Sequence, residues 1–589
     1  MISSFPKRYS TALTLVSILA AAYASPYLVP GDPDALVFRD GILPAILLLA
    51  TAYPVSNALK KHSLRDLLYG CAFALIFSFF LGLGSELLFY DGLLPGMGSL
   101  LRRFAVPCMS TPLLGALCSY IFARPACYLG ASHRTLPYLF YFLVFVLSYS
   151  ATLLAFFPGI INYDFQHEII QYLTNEYLAS HPIFHSMLTG VLYDLGTAIS
   201  GSVTGGAAAY SIFQLVSLSM MFAWCCYFIQ KRVPLWAVLL LTAAMALLPF
   251  NGVLAISTIK DTLFTGLCAM LCMTLWEIAE DPSLFFSSRK KLIRLFMIAL
   301  FMCLLRHNAV FAVIPAVISI IALCRNLRKK ALLACAVTLL FCFVTPRILQ
   351  SVTGAKEILS SELMSIPCQQ LMRTAAHAKD LTEEEYTEIS TWFSDAIHRY
   401  RPSYADPAKG SNFDLPRYTE HPEDYWSMYF KYAKRYPRIY IEGFLANCMG
   451  IWHPDDTTHA HTMDGEEWDF VYLRTGNIVP EMVGEVQAHS YLPAYRNWIR
   501  NSTHHSNHED VPLYSQLFKP STYVYLLLLL TMLLFHRREK RLVLCTLPVW
   551  GIIFSLLFCA CILIRYAYPI MTCVPMLLLL IIYSKNRAA

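Results

Sequence analysis

The sequence predicts an α-helical polytopic membrane protein with about 14 transmembrane helices and a mainly helical, loop-rich extracytoplasmic domain. Three observations carry this. Hydrophobic residues fill 57% of the 589 positions and charged residues only 14%, against about 25% charged in soluble domains. So much apolar sequence cannot be hidden in one globule, whose core stops growing near about 250–300 residues. Charge is also segregated: the segment 347–520 holds 24 of the 39 acidic residues but 16 of the 45 basic ones. The other basic residues mostly form short clusters between apolar runs, the positive-inside pattern rather than a nucleic-acid footprint, despite a net charge of +6. Composition thus excludes a secreted disulfide scaffold, a cytosolic enzyme and a nucleic-acid-binding domain. The cysteines lie mostly within apolar runs, where Cys packs as a small hydrophobe. Cys368 and Cys448, the two in the polar segment, can pair in an oxidising compartment or stay free.

Lys7 and Arg8 place the N-terminus inside, and a first span covers about 9–30. Ala22-Tyr23-Ala24 resembles a signal-peptidase site; cleavage there would leave the downstream orientation intact. The loop Gly31 to Asp40 is acidic and reads as outside. A second span reaches Lys60-Lys61 and Arg65 inside, and a third ends at Glu86 and Asp91 outside. A fourth covers about 104–124 and a fifth about 136–157, delivering Pro158 to the outer face. Within 158–205, the run His181 to Ile199 is apolar enough to suggest a span. Counting it would invert every later loop, so it reads as an interfacial or re-entrant helix on the outer side. Later spans then end inside at Lys231-Arg232, Arg289-Lys290-Lys291, Arg325–Lys330 and His536–Arg541. Their outer ends carry Lys260-Asp261, Arg306-His307-Asn308 and the acidic segment. The chain divides into N-terminal helices (1–130), a transmembrane core (131–346), an extracytoplasmic domain (347–520) and C-terminal helices (521–589), with both termini cytoplasmic. In the outer domain Glu383 to Arg399 has helical character, and Tyr425–Tyr440 is aromatic and basic on one side, with Pro437 opening a new helix.

Ionisable residues at the outer face are the candidates for chemistry, because burying them in lipid without purpose is costly. Pro158-Gly159 throws Asn162, Asp164 and Gln166 into the first loop after the fifth span. Asp164 suits a general base, a sugar-hydroxyl acceptor or a divalent-cation ligand, and equally an N-cap. His181 and His185, in Ser180-His181-Pro182-Ile183-Phe184-His185, share a helical face and suit a metal or a phosphate, or are simply interfacial. Lys260-Asp261 reads as a phosphate grip or as a short loop with a cap for the next helix. Arg306 and Asn308 lie in Arg306-His307-Asn308, enclosed by apolar sequence, where the Arg fork suits a phosphate and a short helix–helix turn is the alternative. A His-rich tract (His453, Asp455, Asp456, His459, His461, then His504, His505, His508, Asp510) has zinc-compatible spacings but no catalytic signature, and reads as a surface loop.

In this order, the motifs resemble the multi-spanning glycosyltransferases of the GT-C superfold, and more closely a bacterial GT-C-like subgroup using lipid-linked sugars. The resemblance rests on the span ending in Pro-Gly before Asp164, on His181-Pro182-Ile183-Phe184-His185, on Lys260-Asp261 and on Arg306-His307-Asn308. Ile366-Pro367-Cys368-Gln369-Gln370, Arg435-Tyr436-Pro437 and Ile451-Trp452-His453-Pro454 extend it over about 136 to 583. It implies a bacterial plasma-membrane enzyme that moves a sugar from a polyprenyl-phosphate donor to an extracytoplasmic glycan, lipid or protein. It also implies Asp164 as catalytic base or metal-binding acid and Lys260 and Arg306 as phosphate ligands. Many relatives pair two acids in this loop, whereas here Phe165-Gln166 follow Asp164 and Glu168 is the nearest acid, which favours a metal-independent base; a divalent cation stays open. Trp392, Tyr425, Trp426, Trp452, Trp468 and Trp498 suit sugar stacking, or a domain core and membrane belt. The competing readings are a lipid-linked glycan transporter or flippase, and a glycan ligase or polymerase. A transporter usually carries internal repeats and mid-membrane charges, and neither is evident here.

Overall fold

The computed structural model describes residues 9–29, 46, 49–124, 135–356, 361–409, 413–456, 486–503, 511 and 513–583. These fold into helices, with no strand beyond isolated bridges among the described residues. The helices of eight residues or more are α1 (Ser10–Leu28), α2 (Ala52–Lys61), α3 (Leu64–Tyr90), α4 (Met97–Ala123), α5 (Tyr138–Ala155), α6 (Tyr163–Thr174), α7 (Ile183–Ser200) and α8 (Val203–Ile229). Then come α9 (Leu235–Leu247), α10 (Pro249–Ile256), α11 (Lys260–Glu280), α12 (Arg289–Leu305), α13 (Val310–Leu323), α14 (Arg328–Thr353), α15 (Ser365–His377) and α16 (Glu383–Ser390). The last are α17 (Pro422–Arg435), α18 (Pro437–Asn447), α19 (Pro493–Thr503), α20 (Pro520–His536), α21 (Lys540–Leu556) and α22 (Ile564–Tyr583).

Eight helices among the described residues are long and apolar enough to cross a membrane: α1, α3, α4, α5, α8, α11, α14 with its preceding turn, and α22. The pair α9 and α10 makes a ninth if taken as one span, bent by 60° at Leu248, where the residue before Pro249 is held extended. Two shorter apolar helices, His307–Leu323 and Pro520–His536, fall below full span length. These long helices are fewer than the about 14 crossings expected from hydropathy, and further apolar stretches fold as helices of 17 residues or fewer. Neither α6 nor α7 is among the spanning helices. α14 runs to Thr353, past the boundary expected at 346, and stops at Gly354, whose φ of +62° is the left-handed geometry of a helix C-terminus.

Burial separates centre from periphery. The most apolar window of α11 is 83% buried, that of α22 67% and that of α8 56%, whereas that of α14 is 17% buried and leaves most of its surface for lipid. Around this centre α11 packs on α8, α12 and α22, while α3 and α4 pair closely in the N-terminal unit. Both ends of the bundle carry ion pairs. At one end His536 Nε2 lies 2.7 Å from Asp66, and Arg232 holds Glu280 at 2.6 Å. The opposite end carries Asp164, Lys260, Arg306 and Arg565.

On that second end sits a helical domain with its own core of Met364, Cys368, Leu371, Trp392, Tyr425 and Tyr432. Pro437 occupies the first turn of α18, as expected. The fully buried Arg373 fastens this domain to the end of α3, donating to Asp91 O at 2.7 Å and to Glu442 at 3.2 Å. Asn447 Nδ2 donates to Cys559 O at 2.7 Å, ahead of α22. Cys368 and Cys448 are buried and free. Trp392, Tyr425 and Trp452 are buried packing residues rather than accessible sugar platforms; Trp498 is half exposed, and Trp468 lies outside the described residues.

Candidate functional site

The site is assembled by two chain segments held side by side. Ile160 N donates to Ile256 O at 3.1 Å and Thr258 N donates to Ile160 O at 2.9 Å. Thr258 Oγ1 accepts from Asn162 N at 2.9 Å. These bonds fix the start of α6 against the start of α11, so Asp164 and Lys260 face each other across 96 residues of sequence. Gly159 has φ +129°, and a Cβ there would press on Ser211 of α8 and on the carbonyl of Ile256, so a side chain would force these elements apart.

Asn162, not Asp164, is the N-cap of α6; its side chain accepts from Asp164 N at 3.1 Å. That leaves the Asp164 carboxylate free to point at cations. Its Oδ2 lies 3.4 Å from Lys260 Nζ and 3.4 Å from Arg565 Nη1, and Arg565 Nη1 also donates to Asn162 Oδ1 at 3.1 Å. Burial pushes the Asp164 carboxyl up, but Lys260 and Arg565 outweigh it and hold the group well below the usual carboxylate range. Lys260 Nζ lies in addition 3.5 Å from His181 Nδ1 and 3.8 Å from Glu168 Oε1. The ammonium thus has three partners and no contact closer than 3.4 Å.

His181 and His185 do not lie on one helix. Pro182 is the N-cap of α7 and α7 begins at Ile183, because the residue before a proline is excluded from helical geometry. The two rings instead flank Glu168, with His181 Nδ1 3.9 Å from Oε1 and His185 Nδ1 2.8 Å from Oε2. Glu168 is fully buried; burial raises its pKa, and His185 and Lys260 reverse that and hold it below the ordinary value. His181 is pushed down, by burial first and by Lys260 second. Behind them His185 Nε2 lies 2.6 Å from Tyr210 OH, which donates to Gln214 Oε1 at 3.1 Å. Gln214 Nε2 donates to the carbonyls of Leu254 and Ala255 at 3.2 and 3.1 Å. A continuous polar chain therefore runs from the backbone ahead of α11 to Glu168 and Lys260.

Asp261 is not a helix cap either. It lies in the first turn of α11, buried, and pairs with Arg306. The Arg306 guanidinium also lies 5.2 Å from the Tyr566 ring centre, and Arg565 Nη2 donates to Tyr566 OH at 2.9 Å. Asn308 and Gln166 make no hydrogen bond to this cluster; Asn308 Oδ1 and Gln166 Nε2 are buried without a partner. Sequence reasoning missed Arg565 and Tyr566, although a lone Arg heading the last apolar run was a readable sign. It named Glu168 only as the nearest acid.

Three carboxylates (Asp164, Glu168, Asp261) thus meet three cations (Lys260, Arg306, Arg565) in one small volume at the end of an apolar bundle. The divalent cation left open at Asp164 does not fit: the nearest groups to that carboxylate are cationic, and no group of three His, Cys, Asp or Glu side chains among the described residues converges as metal ligands. Of the His-rich tract, His459, His461, His504, His505, His508 and Asp510 lie outside the described residues, and His453 is buried beside Gly84.

Fold and site together define a multi-pass helical membrane protein with a charge-balanced cluster at one end of its helices. Residues 168–589 match the model of a family of unknown function (DUF6020), and the chain belongs to that family. The match takes in Glu168, His181, Lys260, Arg306 and Arg565 and begins just after Asp164. No curated protein and no solved structure matches the chain.

Proposed function

We propose that the chain is a GT-C type membrane glycosyltransferase that moves a sugar from a polyprenyl-phosphate donor to an extracytoplasmic acceptor hydroxyl. On this reading the Lys231-Arg232 end of the bundle is cytoplasmic, the helical domain is outside, and the shorter helices cross the membrane beside the eight or nine long ones. The observation that carries the proposal is the carboxylate of Asp164 faced by Lys260 and Arg565, with Arg306 alongside, at the end of apolar helices under a helical domain. A polyprenyl donor keeps its tail in the bilayer and its phosphate at headgroup depth, where these cations sit.

In the resting protein the cations are occupied by carboxylates, and Asp164 is a weak base for that reason. A donor phosphate takes over Lys260 and Arg565, whose loss raises the Asp164 pKa toward that of an ordinary or buried carboxyl. Asp164 then accepts the proton of the acceptor hydroxyl while that oxygen bonds to the anomeric carbon. The bond from that carbon to the phosphate oxygen breaks, and its electron pair leaves on the phosphate, held by Lys260, Arg565 and Arg306. Glu168 and His181 keep the ammonium of Lys260 from wandering when Asp164 is protonated.

The test compares lipid extracts of cells expressing wild-type chain, Lys260→Ala and no chain, with polyprenyl-linked sugars quantified by mass spectrometry. Wild type should deplete one such lipid and release its polyprenyl phosphate; Lys260→Ala should leave that lipid at the level of cells lacking the chain. Lipid-linked sugar levels that do not respond to the chain would overturn the proposal.

A further inference from the structure

The far end of the central helices holds a second polar construction that the proposed chemistry does not use. Lys260 and Glu277 stand at opposite ends of α11, about 26 Å apart at 1.5 Å per residue, close to the roughly 30 Å of a bilayer's hydrocarbon core. Where Lys260 stands at one interface, Glu277 therefore stands near the other. There the C-terminal ends of α8 and α11 and the start of α12 enclose a cleft of about 200 Å³. Its walls are Trp224, Tyr227 and Phe228, and its rim carries Lys231, Arg232, Arg294 and Glu277.

The charges in this cleft are unequal. Arg232 is held by Glu280 at 2.8 and 2.6 Å, and Glu277 takes both Lys291, at 2.9 Å, and Arg294. Lys231 has no carboxylate within ion-pair distance among the described residues, and its ammonium lies over the Tyr227 ring at 4.0 Å. Arg289 and Lys290, at the start of α12, are exposed. Arg294 Nε is buried and makes no hydrogen bond, although its guanidinium lies 4.9 Å from the Trp224 ring centre. The surplus is cationic, one donor is unmet, and Met220, Leu284 and Ile293 are exposed apolar side chains on the same helices and their connection.

We propose that this cleft binds the phosphate of an anionic phospholipid from the surrounding bilayer. The phosphate diester takes Lys231 and Arg294, the glycerol lies against Tyr227 and Trp224, and the acyl chains run along the exposed apolar side chains. Basic pockets between helix ends at the interface recognise lipid headgroups in this way, and interfacial Trp and Tyr suit the boundary between headgroup and tail. Glu277 keeps Lys291 at 2.9 Å and shares Arg294, whose Nη2 it holds while the Nε is unmet. A zwitterionic choline lipid would bring its own cation against this surplus.

The experiment uses the purified full-length chain in neutral detergent and measures thermal unfolding and retained lipid by native mass spectrometry. The additions are phosphatidylglycerol, phosphatidylcholine or inorganic phosphate. Phosphatidylglycerol should bind saturably and raise the unfolding temperature, with phosphatidylcholine and inorganic phosphate weaker by at least ten-fold. Lys231→Gln should weaken phosphatidylglycerol binding about five-fold, the worth of one basic residue at an anionic surface, and Lys231→Gln with Arg294→Gln more. Met220→Leu, on the exposed apolar surface, is the folded control and should bind as wild type. Equal binding of the two lipids, unchanged affinity in both basic variants, or inorganic phosphate competing at the lipid's own concentration would each overturn the proposal.

Discussion

Asp164→Asn separates the proposed exchange of partners from a structural role. The carboxylate stands 3.4 Å from each of two cations. At an effective dielectric near 20 each such pair attracts by about 5 kcal/mol before solvation is counted. The net worth of a hydrogen bond to a charged group is only about 1.5–3 kcal/mol, and 3.4 Å exceeds the 2.7–2.9 Å optimum, so the low end applies. Asn keeps the shape and an acceptor oxygen, and the cap of α6 is untouched because Asn162 supplies it. The expected stability loss is therefore about 1–2 kcal/mol. Donor binding should move the other way. With no carboxylate to displace, the phosphate should bind up to about ten-fold tighter, or 1.4 kcal/mol, while transfer falls about 10²-fold or more. The assay reconstitutes the chain in vesicles containing the lipid-linked sugar that wild type depletes, and measures donor affinity and single-turnover release of polyprenyl phosphate. A folded Asp164→Asn protein that transfers sugar at the wild-type rate, or that binds donor more weakly than wild type, would refute the reasoning.

Arg306→Ala should unfold more readily, by about 3–5 kcal/mol, because it strands the buried Asp261 carboxylate; Arg306→Lys should keep the fold and weaken donor binding about ten-fold, and thermal unfolding with donor titration checks both. Acid should destabilise the site in two stages. His181 is held below its ordinary 6.5, so it binds fewer protons folded than unfolded, and its contribution is lost as pH falls below about 6.5. Asp164 and Glu168 are held below 3.8 and 4.5, so theirs is complete above those values and lost as pH falls through and below them; a pH series of unfolding temperatures should show both stages, and Glu168→Gln should shrink the lower one. Arg373→Ala should cost about 1.5–3 kcal/mol by removing one of the two arginines on the buried Glu442, which keeps Arg438 at 3.0 Å, and should speed amide exchange at Leu93, whose N–H donates to Glu442 at 2.9 Å.

Spans such as Tyr138–Ala155 and Lys260–Glu280 were legible because lipid demands a contiguous apolar run, and that is a property of adjacent residues. The charged ends of the helices were legible for the same reason: Lys231-Arg232 and Lys260-Asp261 close successive apolar stretches. Pro182 and Pro437 announced helix starts through their own covalent geometry. Length alone, however, did not separate full spans from short apolar helices such as Pro520–His536.

The partners of the ionisable residues came only from the tertiary structure. Asp164 was equally a cap or a functional carboxylate in the sequence, since both uses need an Asp at the start of a helix. The choice fell to Asn162, two residues earlier, and to Arg565, four hundred residues later. Lys260-Asp261 and Arg306 were read as separate candidates, with Lys260 and Arg306 as the phosphate ligands, yet the fold pairs Asp261 with Arg306. Hydropathy is set by neighbours along the chain, so the sequence by itself determined that helices cross a membrane and which ends are charged. Electrostatic pairing is set by distance in space, so only the packing of α6, α11 and α22 decided which of those charges share one site.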